Sequence, residues 1–206
     1  MAAWDFWFSR VKLHAPDAPD PLVAQALIDA SRDFFQRSRA WMEWLDPAVS
    51  QAGIGIEYDF DLPSQTELVR IERATRNGNP LVVQSYRQKS RDWMRDQGGE
   101  QALVSRDMLS FALTGNFPAG DEIQVQVSLM PSLRAAGIPD YLATRYLIPI
   151  AEGAKAVVLM TPDTPYYKPD LAALAAAKFE ESIGDFSLSA YRGHTNQVPR
   201  ASVKWC

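Results

Sequence analysis

The chain has 206 residues, 47% of them apolar and 22% charged, with a formal net charge of −4. That balance is globular rather than disordered, and the length suits one domain of ordinary size or a core with one large insertion. The acidic total argues against a protein that lives by gripping phosphates. The single cysteine, Cys206, excludes an internal disulfide and any cysteine-based zinc site, and it fits a reducing compartment. No window approaches the roughly 18 apolar residues of a membrane span, and Met1–Phe8 lacks the basic start and apolar run of a signal peptide. The charge is unevenly placed: segments 1–52, 53–134 and 135–186 are each net acidic, whereas 187–206 holds Arg192, Arg200 and Lys204 and no acid.

Asp20 followed by Pro21 reads as a helix start, a carboxylate for orphan amides and then proline at the first helical position. Leu22, Val23, Ala26, Leu27, Ala30, Phe34 and Phe35 recur at three- and four-residue spacing, which predicts an amphipathic helix over 21–38. Trp41–Pro47 reads as a strand-like connection. Ile54–Leu62 alternates apolar and polar residues until Pro63 stops it, the pattern of a half-buried strand. Leu68–Ala74 continues in that style up to the turn signal Asn77-Gly78-Asn79-Pro80. Met108–Leu113 and Glu122–Leu129 are further strand candidates, with a short helix over Ser85–Gln97 between the turn and the first of these.

Helical patterning returns at Asp140, from which Leu142, Tyr146, Ile150, Ala154, Val157 and Val158 share a face. Pro149 should kink that helix or shift its register. The alanine-rich run 169–183 predicts a last helix of high intrinsic helicity, stopped at Gly184, and 187–206 reads as a tail. The expected fold is therefore α+β. It is a small helical bundle from 1–52 and 135–186, with an inserted antiparallel β unit at 53–134 and an extended C-terminal segment 187–206.

Little in the chain points to bond-making chemistry. His14 lies in a proline-rich loop and His194 in the tail, so a Ser/His/Asp triad has few ways to exist. No phosphate loop or dinucleotide fingerprint is present, and Gly53-Ile-Gly55 precedes a strand rather than a helix. Glu57, Asp59 and Asp61 share a strand face and are read as its solvated side rather than as a metal or acid/base site. Glu180-Glu181 is read as helix surface. The run Tyr86–Arg95 combines basic and aromatic residues in the manner of a stacking surface, but Asp92 and Asp96 dilute it, and Trp93 serves equally to anchor a helix. Trp4, Trp7 and Trp205 sit outside any clear core pattern; they either fold back onto the domain or bury against another chain.

Taken in order, Pro21–Trp41, Leu45-Asp-Pro47, Glu57-Tyr-Asp-Phe-Asp-Leu-Pro63, Asn77-Gly-Asn-Pro-Leu81, Val127-Ser-Leu-Met-Pro-Ser132, Gly137-Ile-Pro-Asp-Tyr-Leu142, Glu152-Gly-Ala154 and Lys168-Pro-Asp-Leu171 resemble the head-to-tail adaptors of short-tailed and related phages. These are the connector, or tail tubular protein A-like, family. The resemblance covers about residues 20–185 and rests on order and spacing; Pro149 and residues 85–120 depart from the pattern. It implies a non-enzymatic virion protein, a homo-oligomeric ring of twelve beneath the portal. Such a ring joins the head to the tail nozzle or tail tube and lets DNA pass through non-specifically, and it is assembled in the host cytoplasm.

The resemblance carries no catalytic residue, metal or cofactor. It implies a C-terminal extension on the portal, for which Arg192, Arg200, Lys204 and Trp205 are the expected docking residues. Trp4, Trp7, Tyr166 and Tyr167 are the expected contacts between subunits or with a partner. The alternatives are another virion component, such as a stopper or nozzle subunit, or a small soluble enzyme.

Overall fold

The computed structural model describes residues 1–53, 55–85 and 101–192, with Ser85 described in its backbone alone. In chain order the elements are β1 (Ala2–Ala3), a 3-10 turn (Trp4–Trp7), α1 (Phe8–Lys12), α2 (Asp20–Ser38), β2 (Met42–Trp44), β3 (Ala48–Val49), β4 (Glu57–Asp59), β5 (Thr66–Arg76), β6 (Asn79–Ser85), β7 (Ala102–Ser105), β8 (Ser110–Thr114), β9 (Glu122–Pro131), β10 (Gly137–Ile138), α3 (Asp140–Arg145), α4 (Leu147–Leu159) and α5 (Pro169–Tyr191). They form two compact units, one from 1–40 with 131 onward, the other from 41–130.

The fold is α+β, 40% helical and 29% strand, and a curled eight-stranded mixed sheet in the form of a half-barrel dominates it. This overturns the expectation of a small helical bundle with an inserted antiparallel β unit. The sheet runs β2-β9-β5-β6-β7-β8-β4, with β3 also on β9, and β6 pairs with β7 in parallel, Val82 opposite Ala102 and Gln84 opposite Val104. A parallel pair needs a crossover of a dozen residues or more, which residues 86–101 supply. The proposed helix over Ser85–Gln97 falls there, outside the described residues.

Periodicity located β9 because Ile123, Val125, Val127 and Leu129 are buried while Gln124 and Gln126 are not. It missed β7 because Ala102, Leu103 and Val104 are all buried. A strand covered on both faces carries no alternation to read. The Asn77-Gly78 signal is a two-residue hairpin between β5 and β6, closed by Arg76 opposite Asn79. Asn77 has φ 48° and Gly78 φ 76°, the left-handed pair that a type I′ turn demands.

In the helical unit α2 spans Asp20–Ser38 and buries Val23, Ala26, Leu27, Ala30, Phe34 and Phe35. Asp20 makes no capping bond; Pro19 is the N-cap, and the Asp20 carboxylate pairs with Lys12 while still lying near the positive end of the helix. Phe34 sits at the centre of an aromatic cluster, 5.3 Å from Phe35, 5.1 Å from Tyr146, 6.3 Å from Phe179 and 5.8 Å from Phe186 between ring centroids. Burial at this centre pushes the Tyr146 phenol above its ordinary pKa.

The expected single helix after Asp140 is two. α3 ends at Arg145, and Tyr146 leaves helical geometry at φ −108°, ψ 21°. Pro149 would clash with the Arg145 carbonyl four residues earlier. Breaking the helix at Tyr146 removes that clash and leaves Pro149 in the first turn of α4, where a missing N–H costs nothing.

The last helix also differs from expectation. It passes Gly184 and ends at Tyr191, so the segment 187–206 is not wholly a tail. Gly184 is exposed and its missing Cβ would meet nothing within 4 Å. The cost of a mid-helix glycine, about 1 kcal/mol, is offset beyond it by Phe186 against Phe34 and Tyr146 and by buried Ala190.

Candidate functional site

The N-terminal tryptophans are packed inside the helical unit. Trp4 is 6% exposed and Trp7 fully buried, with ring centroids 5.7 Å apart. The Trp4 indole N–H donates to the Ala135 carbonyl at 2.6 Å. β1 and β10 bring this segment in, pairing Ala2 with Ile138 and Ala3 with Gly137. Gly137 is required there, because a Cβ would lie 1.9 Å from the Ala2 carbonyl oxygen. Tyr166 is buried as well, whereas its neighbour Tyr167 is 46% exposed. Of these four expected contact residues, only Tyr167 offers a side chain to another molecule.

Arg192 follows α5 directly, and its backbone N–H donates to the Leu188 carbonyl at 3.0 Å. It is therefore the C-cap of a helix rather than part of a free extension. Arg200, Lys204 and Trp205 lie outside the described residues.

Sequence reasoning missed the outward arc of α5. Leu171, Leu174, Leu188 and Tyr191 are exposed there, at 41%, 53%, 56% and 70%, among exposed Lys178, Glu181 and Asp185. The alanine-rich composition hid it, since alanine supplies helicity on every face and leaves the outer leucines looking like core. At the N-terminal end of this arc Leu171 and Leu174 border a hollow of about 110 Å3, lined also by His14, Glu152, Lys155 and Lys178. Lys155 and Glu152 pair at 2.7 Å and are only 13% and 14% exposed. Lys168 Nζ donates to the His14 carbonyl at 2.7 Å and ties the loop to the start of α5. The hollow sets an internally neutralised ion pair beneath a leucine rim, which suits it to apolar contact.

On the opposite face of the helix pair, Arg37 of α2 meets Glu180 of α5 at two points, one of them Nη1 to Oε1 at 2.7 Å. The guanidinium hydrogen bond holds the Glu180 carboxyl below its ordinary range, and the carboxylates of Glu180 and Asp33 raise Arg37 further above its own. Glu180 is thus helix surface with a structural partner, while Glu181 is plain exposed surface.

In the sheet unit, Arg76 donates to Asp121 at 2.6 Å and to Gln101 at 2.5 Å, and Asn77 reaches the same carboxylate at 2.7 Å. This network ties the hairpin to the strands beside it. Glu57, Asp59 and Asp61 are exposed on and after the edge strand β4. Among the described residues no group of three or more His, Cys, Asp or Glu is placed to hold a metal ion. No described helix is long and apolar enough to cross a membrane.

No protein-family model and no curated protein matches this chain.

Proposed function

We propose that this chain is a structural virion protein, a head-to-tail adaptor whose copies pack into a ring beneath the portal, join head to tail and line the DNA channel. The observation that carries the reading is the outward arc of α5. Leu171, Leu174, Leu188 and Tyr191 are left uncovered by their own unit and continue into an acid-free segment. Apolar rows rimmed by charge are covered when copies pack side by side, and a head-to-tail contact repeated around an axis closes as a ring.

The resemblance along residues 20–185 supplies the portal, the tail nozzle and the twelvefold number. The net acidic chain suits a conduit, because like charge keeps phosphate from sticking to the wall. Arg200, Lys204 and Trp205 remain the proposed portal contacts, and Tyr167 with the α5 arc the proposed contact between copies.

The test is electron microscopy and mass measurement of the full-length chain with a portal protein. Ring-shaped complexes are expected with the intact chain. A chain ending at Arg192, which leaves α5 whole, should lose portal docking, and Leu171→Glu with Leu188→Glu should lose rings while keeping helical circular dichroism. A chain that stays monomeric with portal present, and turns over a substrate, overturns the reading. Rings that never engage a portal would favour a stopper or nozzle subunit instead.

A further inference from the structure

We propose that α5 of the free chain pairs antiparallel with α5 of a second copy, along one row of exposed residues. α5 turns Ala172, Ala175, Phe179, Ile183 and Ala190 inward. On its outer side Leu171, Leu174, Lys178, Glu181, Asp185 and Leu188 are all exposed. Their spacing alternates between three and four residues, and residues so spaced lie in one row along a helix. That alternation is the seam of a two-helix coiled coil, and here it runs down the side of α5 that its own unit leaves uncovered.

The charges decide the partner and the direction. The row is leucine at both ends, with Lys178, Glu181 and Asp185 between them. These three side chains have neither an ion pair nor a hydrogen bond among the described residues. Two copies laid in the same direction would set Lys178 against Lys178 and Glu181 against Glu181, and like charges in contact reject an arrangement. Turned antiparallel about the midpoint between Lys178 and Glu181, each copy sets Leu171 opposite the partner's Leu188 and Lys178 opposite the partner's Glu181. Lys178 also lies three residues from Glu181 on its own helix. The four groups therefore occupy alternating corners of a square, each beside two of opposite sign. Leu174 falls opposite the partner's Asp185, whose carboxylate lies one turn from Lys178. A two-fold contact needs a patch that complements itself, and this row does.

Such a contact is small. One pair of helices covers less than the roughly 1,200 Å2 of a stable complex, so the dimer is weak and comes apart on dilution. The pairing rests on the adaptor reading in one respect, that the α5 arc meets other copies. Around a ring the arc meets a different face of its neighbour. The two-fold pair is then a state of the free chain that assembly opens.

Sedimentation of the full-length chain without portal, over a range of concentrations, tests this, and a concentration-dependent dimer is expected. Lys178→Glu alone, or Glu181→Lys alone, puts four like charges at the centre and should weaken association by about tenfold or more. The two changes together should restore it. Helical circular dichroism should stay constant throughout, because neither side chain has a partner within the described chain. For direction, chains with Leu171→Cys and chains with Leu188→Cys, all carrying Cys206→Ser, should cross-link when mixed and neither with itself. A native chain that is monomeric at every concentration overturns the pairing. So do single charge variants that associate like the native chain, a double variant that fails to recover, or Leu171→Cys chains that cross-link to one another. Rings on a portal from a chain that never dimerises when free sink the pairing alone. Dimers that never become rings with a portal present sink the adaptor reading alone.

Discussion

Gly153 of α4 lies so close to the ring of Phe179 of α5 that a Cβ at 153 would stand 2.8 Å from it, and 2.9 Å from Ala30 Cβ on α2. Gly153 therefore sets the approach of three helices at once. Gly153→Ala gains up to about 1 kcal/mol of helix propensity, but it overfills a packed contact at a cost of about 1–3 kcal/mol. The overfilling wins, because Ala30 Cβ is fixed to its backbone and Phe179 is held in the aromatic cluster. Thermal denaturation should show a lower Tm. Gly184→Ala, an identical change into open space on exposed α5, should raise it, with a gain of roughly 0.5–1 kcal/mol.

Phe34 is fully buried and touches four aromatic rings from α2, α5 and the α3–α4 junction. Phe34→Ala should cost about 3–5 kcal/mol, read as a drop in the denaturant midpoint. Phe186→Ala removes one rim of that cluster. It should cost less globally but speed amide exchange over 187–191, because Phe186 offsets the glycine at 184.

The Arg37–Glu180 pair makes a small pH-dependent contribution. Glu180 has its pKa lowered in the folded chain, below the ordinary 4.5, chiefly by the Arg37 hydrogen bond. The unfolded state thus binds more protons in that window, and stability rises with pH there. The contribution is complete above about pH 4.5 and is lost as pH falls through the folded value. Side chains 42% and 57% exposed limit it to under about 1 kcal/mol. Glu180→Gln should lower stability by that small amount at neutral pH and match the native chain in acid, when both are followed by urea unfolding across pH.

Gly78 has φ 76° with open space around its Cβ position. Gly78→Ala is therefore opposed by backbone strain alone, about 1 kcal/mol. Gly78→Asn should cost less, since asparagine tolerates the left-handed region. The order Gly, Asn, Ala in denaturant midpoint checks that the turn geometry, rather than packing, sets the preference.

Helix α2, the Asn77-Gly78 hairpin and strand β9 were legible because each writes its geometry locally. A 3.6-residue stripe, two residues that tolerate positive φ and a two-residue alternation need no knowledge of distant chain. The carboxylates at 57, 59 and 61 were likewise readable as a solvated strand face. The candidate surfaces were harder. Leu171 and Leu174 differ from core leucines only in what fails to cover them. Nor does the pattern of 57–62 say that β4 stands at the end of a sheet.

The sequence by itself determined the pieces: amphipathic α2, the primed turn, the break that Pro149 imposes and the uneven placement of charge. These follow from sterics, side-chain period and composition, which act over a few residues. Only the tertiary structure decided that β6 and β7 run parallel, that Trp4 and Trp7 are core, that α5 passes Gly184 to reach Tyr191, and that the strands join in one eight-stranded mixed sheet. Each of these depends on burial between residues far apart in the chain. A local preference of about 1 kcal/mol, such as that of Gly184, gives way when a ring like Phe186 finds its place against Phe34.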